Sequence, residues 1–451
     1  MLTYTHMKTR TTRSIISGKN ALSEIPRHLS TYWPSGNALI FADTHTWKAA
    51  GEMVSAIISD AGYPNAGKYI FPNDENMHAD LERIASVAAA CTAAQKNCPS
   101  GTIVPIAVGS GTVNDIVKRG AFELDLPYVC VPTAPSVDGY TSFGSAVTVN
   151  GFKTTLPCDA PWLVVADQDI MAAAPYELIA AGYGDLAAKL TSGRDWLIAE
   201  ALGLESIDPA VWHLSQGKLL DRLSRPETLV RRDAVSVRDI FEGLCDTGLA
   251  MQDQGDSRPA SGAEHHISHC WEMRGLRVRG KDVLHGEKVA AGTRLMALFA
   301  EVLFSFTAEE VKYHALKTFE VSPLEREREI RKIFADTGIS EGVIGDAVRI
   351  SLEKLDEGQS RLGRLEKICG SWNSLRSIAF ADRPSFSRLS DMFSSAHCPG
   401  LSAIGIDSKL AAWGLLAAQT IRNRYTLLDL AWDIGVLEIV IGIVITKINT
   451  K

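Results

Sequence analysis

The sequence predicts an α/β domain built on a parallel sheet, followed by an all-helical domain. Short apolar segments alternate with helical segments between residues 37 and 167, which is typical of βαβ units with parallel strands. From Met171 onward the strand signals fade and helical periodicity dominates. A chain of 451 residues is also too long for one hydrophobic core. We therefore predict two domains, residues 1–168 and 169–451.

The first domain is predicted from short apolar runs that polar or glycine residues close. Continuous apolar runs of this length are typical of strands buried on both faces. The predicted strands are residues 38–43, 68–71, 102–108, 126–131, 146–150 and 162–167. The segments 47–61, 79–94 and 112–120 have helical spacing. Ligands of such a sheet bind at the carboxyl ends of its strands.

Two polar loops follow neighbouring predicted strands. Gly109-Ser-Gly-Thr-Val-Asn-Asp115 opens a helix, so its glycines would let the backbone approach a pyrophosphate at the helix N-terminus. A merely structural turn is the alternative, because tight strand–helix turns need glycine anyway. The second loop, residues 132–142, is rich in hydroxyl groups and proline. Asp43 could bind ribose hydroxyls, although it precedes the glycine loop instead of following it.

The second domain is predicted to be helical throughout. The clearest helices are residues 175–181, 184–200, 234–251, 285–302, 307–319, 325–332 and 410–430. Residues 202–226 read as an irregular insertion, and residues 371–399 as loop-rich. The apolar segment 436–445 is far shorter than the roughly 20 residues of a bilayer span, so we predict a terminal strand or a docked tail.

Four of the eleven histidines lie in one window, at positions 265, 266, 269 and 285. On a helix His265 and His269 would lie one turn apart on the same face. Imidazoles with one carboxylate are typical of a catalytic zinc site with an open position, and Asp185 could supply that carboxylate. Two alternatives stay open: a polar helix face with incidental histidines, and an aspartate that only stabilises a helix N-terminus.

Composition favours a cytoplasmic protein that neither binds nucleic acid nor inserts into a membrane. The net charge of −7 argues against nucleic-acid binding. The eight cysteines contain no C-x-x-C pair, which indicates reduced thiols. The polar N-terminus lacks the apolar segment of a secretory signal.

Five motifs in order carry a resemblance to a known family. They are Gly109-Ser-Gly-Thr-Val-Asn-Asp115, Pro132-Thr-Ala-Pro-Ser-Val-Asp138-Gly, Gly182-Tyr-Gly-Asp185-Leu, Ser261-Gly-Ala-Glu-His265 and His285-Gly-Glu-Lys288. With them the chain resembles the glycerol-1-phosphate dehydrogenase family, within the dehydroquinate synthase and iron-type alcohol dehydrogenase superfamily. The resemblance implies a dehydroquinate synthase-like fold.

The resemblance also implies a set of site residues. It makes Asp185, His265 and His285 the ligands of one divalent metal, with Zn²⁺ expected first and Ni²⁺ or Fe²⁺ as alternatives. It assigns His269 to the substrate, together with Asp138 and Asp185, which revises the His265–His269 ligand pair that helical spacing suggests. With Asp43, the residues expected to bind NAD(H) or NADP(H) are Gly109, Ser110, Gly111, Thr112, Asp115, Thr133, Ser136 and Ser142. Ser110 stands where the family often has glycine.

The implied reaction is reduction of dihydroxyacetone phosphate to sn-glycerol 1-phosphate by a homo-oligomer. Three alternatives stay open: a glycerol or other polyol dehydrogenase, a sugar-phosphate cyclase of the dehydroquinate synthase type, and a non-catalytic binding protein. Lys153, Arg274 and Arg277 are candidate phosphate-binding residues by position only.

Overall fold

The computed structural model describes residues 11–72, 77–98, 101–149, 152–318, 321–356 and 361–449. Its contacts divide the chain into two compact units. The first consists of Met1–Leu186 and His213–Ser257, and the second of Ala187–Trp212 and Arg258–Lys451. The sequence predicts a single domain boundary, after residue 168, whereas each of these units consists of two segments of the chain. All eight cysteines are free thiols, as predicted.

A parallel sheet organises the first unit. The strands described there are β1 (Ser14–Gly18), β2 (Asn37–Asp43), β3 (Asn65–Phe71), β4 (Ile103–Gly109), β5 (Val129–Pro132), β6 (Ser145–Val149), β7 (Phe152–Leu156) and β8 (Leu163–Asp167). Six of them pair in the order β1-β8-β5-β4-β2-β3, and every pairing is parallel. β6 and β7 form a separate antiparallel hairpin. The parallel sheet is confirmed, and every residue of β4 is buried, as its apolar run predicts.

Helices lie between the strands in the chain and pack against the sheet, and further helices follow the last strand. They are α1 (Ile25–Tyr32), α2 (Thr44–Thr46), α3 (Glu52–Asp60), α4 (Leu81–Asn97), α5 (Gly111–Phe122), α6 (Gln168–Ala172), α7 (Tyr176–Ala201), α8 (Pro209–Gln216), α9 (Leu219–Leu223), α10 (Pro226–Val230) and α11 (Ala234–Gln254). α11 packs against α6 and β1, and Thr141 Oγ1 donates to Cys245 O at 2.7 Å. These contacts explain why residues 213–257 belong to the first unit.

α7 is one helix where two were predicted. Gly182 does not interrupt it; a Cβ at this position would lie 1.5 Å from Pro135 O, so glycine lets the helix lie directly against the 132–142 loop. The segment 202–226 is also more regular than predicted, because α8 and α9 occupy much of it.

Among its described residues, the second unit is mainly helical and contains one short hairpin. Its elements beyond α7 and α8 are α12 (Ala263–Met273), β9 (Arg277–Val278), β10 (Lys281–Asp282), α13 (His285–Leu303), α14 (Ala308–Thr318), α15 (Pro323–Phe334), α16 (Glu341–Asp356), α17 (Arg361–Phe380), α18 (Phe386–Ser395), α19 (Ser408–Ala418), α20 (Leu427–Asp433) and α21 (Leu437–Asn449). The predicted helical character is confirmed.

Two predictions in this unit are wrong, and a third is half right: the C-terminal segment is docked, as one alternative predicted, but it is a helix and not a strand. The segment 371–399 is mainly helical, in α17 and α18, and the helix predicted over 410–430 is two helices separated by residues 419–426. The apolar tail is helix α21, whose buried face packs against α13 and α19. An apolar run of this length does not distinguish a strand from a buried helix by itself.

A search of the described helices for membrane spans finds none that is long and apolar enough alone. His285–Leu303 and Ala308–Lys317 meet the length and composition criteria only as a pair, and that pair is bent by 98°.

Candidate active site

Three histidines of the second unit lie side by side. His265 and His269 are on α12, and His285 is the first residue of α13. The ring centroid of His285 is 5.4 Å from that of His265 and 6.0 Å from that of His269. The two helices approach closely at Gly292, where a Cβ would lie 2.5 Å from the backbone oxygen of Glu264. The close packing of α12 and α13 therefore brings together residues that are twenty positions apart.

Asp185 joins two of these histidines. It is fully buried on α7. One ligand atom each of Asp185, His265 and His285 lies within 4.8 Å of the other two. Two imidazole nitrogens and a carboxylate oxygen fit a divalent cation, with a coordination position left for another molecule. These are the three ligands that the resemblance implies.

Glu264 determines how His265 is oriented. This carboxylate is fully buried, and its Oε1 lies 2.8 Å from His265 Nδ1 and accepts from Gly262 N at 2.8 Å. Its Oε2 accepts from Thr191 Oγ1 at 3.1 Å. Burial raises the pKa of Glu264, but the hydrogen bonds from His265 and Gly262 outweigh it and bring the pKa below its ordinary value. Because a carboxylate only accepts, His265 Nδ1 carries the proton and Nε2 keeps the lone pair that binds a metal.

Glu272 lies beside the other two histidines and is hydrogen-bonded to His269. Its Oε2 lies 3.1 Å from His269 Nδ1, and its Oε1 lies 3.6 Å from His285 Nδ1. The buried Lys288 ammonium lies 3.0 Å from Oε1 and donates to Val283 O at 2.8 Å. Lys288 thus balances the charge of a carboxylate that faces two imidazoles.

His269 is neutral at physiological pH. Burial lowers its pKa to about 4, against the hydrogen bond and charge of Glu272, which raise it. A neutral ring whose Nδ1–H points at Glu272 presents Nε2 as a hydrogen-bond acceptor. His269 can therefore hold a substrate hydroxyl.

The expected cofactor residues of the first unit lie at the carboxyl ends of three adjacent strands. Asp43 ends β2, Gly109 ends β4, and Thr133 follows β5. The register pairs Gly109 with Pro132, so these strand ends are level with each other. The remaining expected residues continue from the same strand ends, on α5 or in the 132–142 loop: Ser110, Gly111, Thr112, Asp115, Ser136 and Ser142. The grouping matches the usual position of ligands on a parallel sheet.

Asp43 has a structural role that the sequence left open. Its Oδ1 accepts from His45 N at 2.7 Å and from Thr46 N at 2.8 Å, which caps the helix that follows. Ribose binding by this carboxylate stays a prediction.

The 132–142 loop is fixed from both sides. Lys118 Nζ on α5 is buried and donates to the carbonyl oxygens of Gly139 and Ser142 at 2.8 and 3.0 Å. Asp138 N donates to Asp185 Oδ2 at 2.9 Å. The loop expected to contact the cofactor is therefore bonded directly to a proposed metal ligand, a contact that neither motif indicates alone.

Two of the residues proposed by position to bind phosphate, Arg274 and Arg277, contact other protein side chains. Arg274 lies over the Trp413 ring at 5.0 Å, and Arg277 Nε lies 2.7 Å from Asp282 Oδ1. The side chain of Lys153 lies outside the described residues.

Comparison with known proteins identifies the family. The family model for iron-containing alcohol dehydrogenase matches residues 16–175. An enzyme of Halalkalibacterium halodurans named glycerol-1-phosphate dehydrogenase, NAD(P)+, is 34% identical over 281 residues, which are 62% of this chain and 68% of that one. One of the same name from Bacillus velezensis is 31% identical over 413 residues, 91% of this chain and 89% of that one. This chain belongs to the glycerol-1-phosphate dehydrogenase family.

Solved structures support the fold of this family member. An iron-containing alcohol dehydrogenase from Corynebacterium glutamicum has a TM-score of 0.59 at 16% identity, covering 97% of both chains. A glycerol dehydrogenase from Schizosaccharomyces pombe has a TM-score of 0.57 at 17% identity, covering 98% of this chain and 94% of that one. The predicted fold class is confirmed.

Proposed function

We propose that this glycerol-1-phosphate dehydrogenase family member is a metal-dependent, NAD(P)(H)-linked enzyme that interconverts dihydroxyacetone phosphate and sn-glycerol 1-phosphate. The observation that carries the proposal is the Asp185–His265–His285 cluster in a chain of this family. The names of its relatives support the reaction and the dinucleotide. For the metal we propose Zn²⁺ first, with Ni²⁺ and Fe²⁺ as alternatives, because the donors are nitrogen and oxygen.

The metal ligands, the two glutamates and the 132–142 loop have separate proposed roles. A divalent cation held by Asp185, His265 and His285 supplies Lewis acidity at a ketone oxygen. Glu264 holds Nδ1 of His265, which directs Nε2 of that ring at the metal, and Glu272 holds Nδ1 of His269, which directs its Nε2 at the substrate. Asp138 and the 132–142 loop are held next to Asp185 by the Asp138 N–Asp185 hydrogen bond.

The cofactor would be bound in the first unit. We propose that the backbone of Gly109–Gly111 and the start of α5 bind the diphosphate, since a helix N-terminus presents free N–H groups to an anion. Thr133, Ser136 and Ser142 would face the nicotinamide, and Asp43 the adenosine ribose.

Substrate choice tests this proposal. Dihydroxyacetone phosphate should be reduced with a kcat/KM at least about 100-fold higher than dihydroxyacetone, because a site built for phosphate leaves buried donors unpaired without it, at a cost of about 3 kcal/mol. The measurement is NADH and NADPH oxidation with each ketone, before and after a chelator. Equal rates with both ketones would indicate a glycerol dehydrogenase, and turnover without net NAD(P)H consumption a cyclase.

The product should be the sn-1 enantiomer. An enzyme strictly specific for sn-glycerol 3-phosphate is expected to leave the isolated product untouched, whereas authentic racemic glycerol phosphate is half consumed in the same assay. Full consumption of the product would overturn the stereochemical assignment.

His269→Ala separates substrate binding from metal binding. His269 is bonded to Glu272, and it does not belong to the three-residue cluster of mutually close ligand atoms, so the variant should keep a stoichiometric metal. Turnover should fall by roughly 100-fold, the scale expected for a positioned hydrogen-bonding group at the reacting centre. Metal content and kcat/KM are measured on the same preparation. Metal loss would return His269 to the ligand set.

A further inference from the structure

One buried ammonium holds the turn at residues 138–144. Lys118 Nζ on α5 donates to the backbone oxygens of Gly139, Ser142 and Gly144 at 2.8, 3.0 and 3.1 Å. Gly144 has a φ of +84°, in the left-handed region that favours glycine. An ammonium has three N–H donors and no acceptor, so these three bonds use all of its donors. Lys118 therefore holds the backbone of the turn and has no donor left for a ligand.

Two neutral hydrogen bonds fix the same turn. Asn114 Nδ2 on α5 donates to Gly139 O at 3.3 Å, and Thr141 Oγ1 donates to Cys245 O of α11 at 2.7 Å. Hydrogen bonds from a charged donor are roughly twice as strong as neutral ones. Of these contacts, the ones from Lys118 therefore stabilise the turn most.

The 138–144 turn connects residues with different proposed roles. Asp138 is proposed for the substrate, and Ser142 for the nicotinamide. Asp138 N donates to Asp185 Oδ2 at 2.9 Å, which fixes the orientation of that carboxylate. On the cofactor side, Lys118 Nζ lies 3.9 Å from Asp115 Oδ1. A shift of the turn would therefore move Asp138 and Ser142 together and displace the N–H from which Asp185 accepts.

We propose that Lys118 is a positioning residue for hydride transfer, acting through the 138–144 turn. The inference rests on the proposed function. In that reaction the C4–H bond of NAD(P)H breaks, and its hydrogen and electron pair form a C–H bond at the ketone carbon. The ketone oxygen takes a proton from water, so the dinucleotide is oxidised and the ketone is reduced.

Hydride transfer depends steeply on the position of the two reactants. The reacting atoms must lie about 3–3.5 Å apart, and a displacement of about 1 Å can cost about 100-fold in rate. The 138–144 turn carries residues proposed for both reactants, and Lys118 fixes its backbone at three points. Loss of the ammonium should therefore slow the transfer step more than it weakens binding.

The test compares Lys118→Met with wild type in a single turnover. Methionine keeps an unbranched apolar stem and removes the three donors. The rate of NADH oxidation in the first turnover with dihydroxyacetone phosphate should fall by about 100-fold. The Kd for NADH should stay near the wild-type value, because the proposed diphosphate-binding residues Gly109–Gly111 lie outside the turn. NADH with two deuterium atoms at C4 should slow the first turnover of the variant further, which identifies hydride transfer as the affected step.

Arg119→Met is the matched control, because Arg119 is the next residue of α5 and donates to Pro157 O, outside the turn. Its first-turnover rate should equal that of wild type. Lys118→Gln keeps two N–H donors without the charge, so its rate should lie between those of wild type and Lys118→Met. Circular dichroism and the melting temperature establish folding, and Lys118→Gln carries the test if Lys118→Met does not fold.

Two measurements without ketone or dinucleotide separate this inference from the proposed function. Lys118→Met should bind Zn²⁺ about 10-fold more weakly in competition with a chelator, since the turn no longer holds the N–H that orients Asp185. The backbone amides of residues 138–144 should also exchange hydrogen faster, whereas Arg119→Met should match wild type in both measurements.

If wild type fails to reduce dihydroxyacetone phosphate while Zn²⁺ affinity and amide exchange still depend on Lys118, the proposed reaction alone is overturned. The positioning role is overturned by an unchanged first-turnover rate in folded Lys118→Met. A slowed first turnover without an isotope effect, or an equal loss of rate in Arg119→Met, would overturn it as well.

Discussion

His265→Ala and His285→Ala are each expected to lose the bound metal and to lower kcat/KM by about 1000-fold or more. Each change removes one of only three protein donors in the proposed cluster. Lewis-acid stabilisation of a developing alkoxide is worth several kcal/mol, and about 4 kcal/mol corresponds to a factor of 1000 in rate. Metal content of the purified variants and NADH oxidation with dihydroxyacetone phosphate measure the two effects.

His269→Ala is the matched control for metal content, because it removes an imidazole from α12, the helix of His265, that lies outside the cluster. Circular dichroism and the melting temperature establish that each variant is folded. Excess Zn²⁺ should restore little activity to His265→Ala, since two donors remain. If both variants keep a stoichiometric metal, the ligand assignment is wrong.

Much of the first unit could be predicted from residue pattern alone. Its buried strands are continuous apolar runs closed by Asp43, Gly109 or a proline, and that pattern places the loops at one edge of the sheet. β1 escaped prediction because Ser14–Gly18 is short, with half-buried residues and serines at an edge of the sheet. The helical form of α21 was not predicted because its isoleucines and valines lie on both faces of the helix and mask helical periodicity.

The site was less predictable than the fold. Helical spacing pairs His265 with His269, whereas the proposed cluster pairs His265 with His285. Which histidine lies beside His265 depends on how α12 packs on α13, and the periodicity of the sequence does not predict that packing. The motif around His265 did include Glu264, but its hydrogen bond to Nδ1 appears only in three dimensions. A homo-oligomer and a cytoplasmic location stay predictions.

Two buried carboxylates bonded to the first turn of α12 lead to a second prediction of large effect. Glu264 and Asp195 accept hydrogen bonds from successive backbone N–H groups, those of Gly262 and Ala263. Burial, and then the charge of Glu264, raise the pKa of Asp195 to about 7. Because this folded-state pKa lies above the ordinary value of 3.8, Asp195 stabilises the fold less as pH rises from about 4 to about 7. The negative charge that orients His265 thus costs stability near neutral pH.

Glu264→Gln is therefore expected to weaken metal binding while it reduces the pH sensitivity of the metal-free protein. The amide keeps the shape of the side chain, but it is a weaker acceptor for His265 Nδ1–H, and loss of such a partner typically lowers metal affinity by about 10- to 100-fold. Without the Glu264 charge the pKa of Asp195 should fall. The decrease in melting temperature with rising pH, which in wild type should continue to about pH 7, should then end at a lower pH.

These two effects distinguish a positioning role for Glu264 from a purely structural one. Metal affinity is measured by competition with a chelator, and the melting temperature of the metal-free protein is followed from pH 5 to pH 8. Glu264→Ala is the comparison variant, since it removes the acceptor as well as the charge and leaves the N–H groups of His265 and Gly262 unpaired, so its melting temperature should fall at every pH. Unchanged metal affinity in Glu264→Gln would exclude the positioning role, and an unchanged pH profile would show that the Glu264 charge does not act on Asp195.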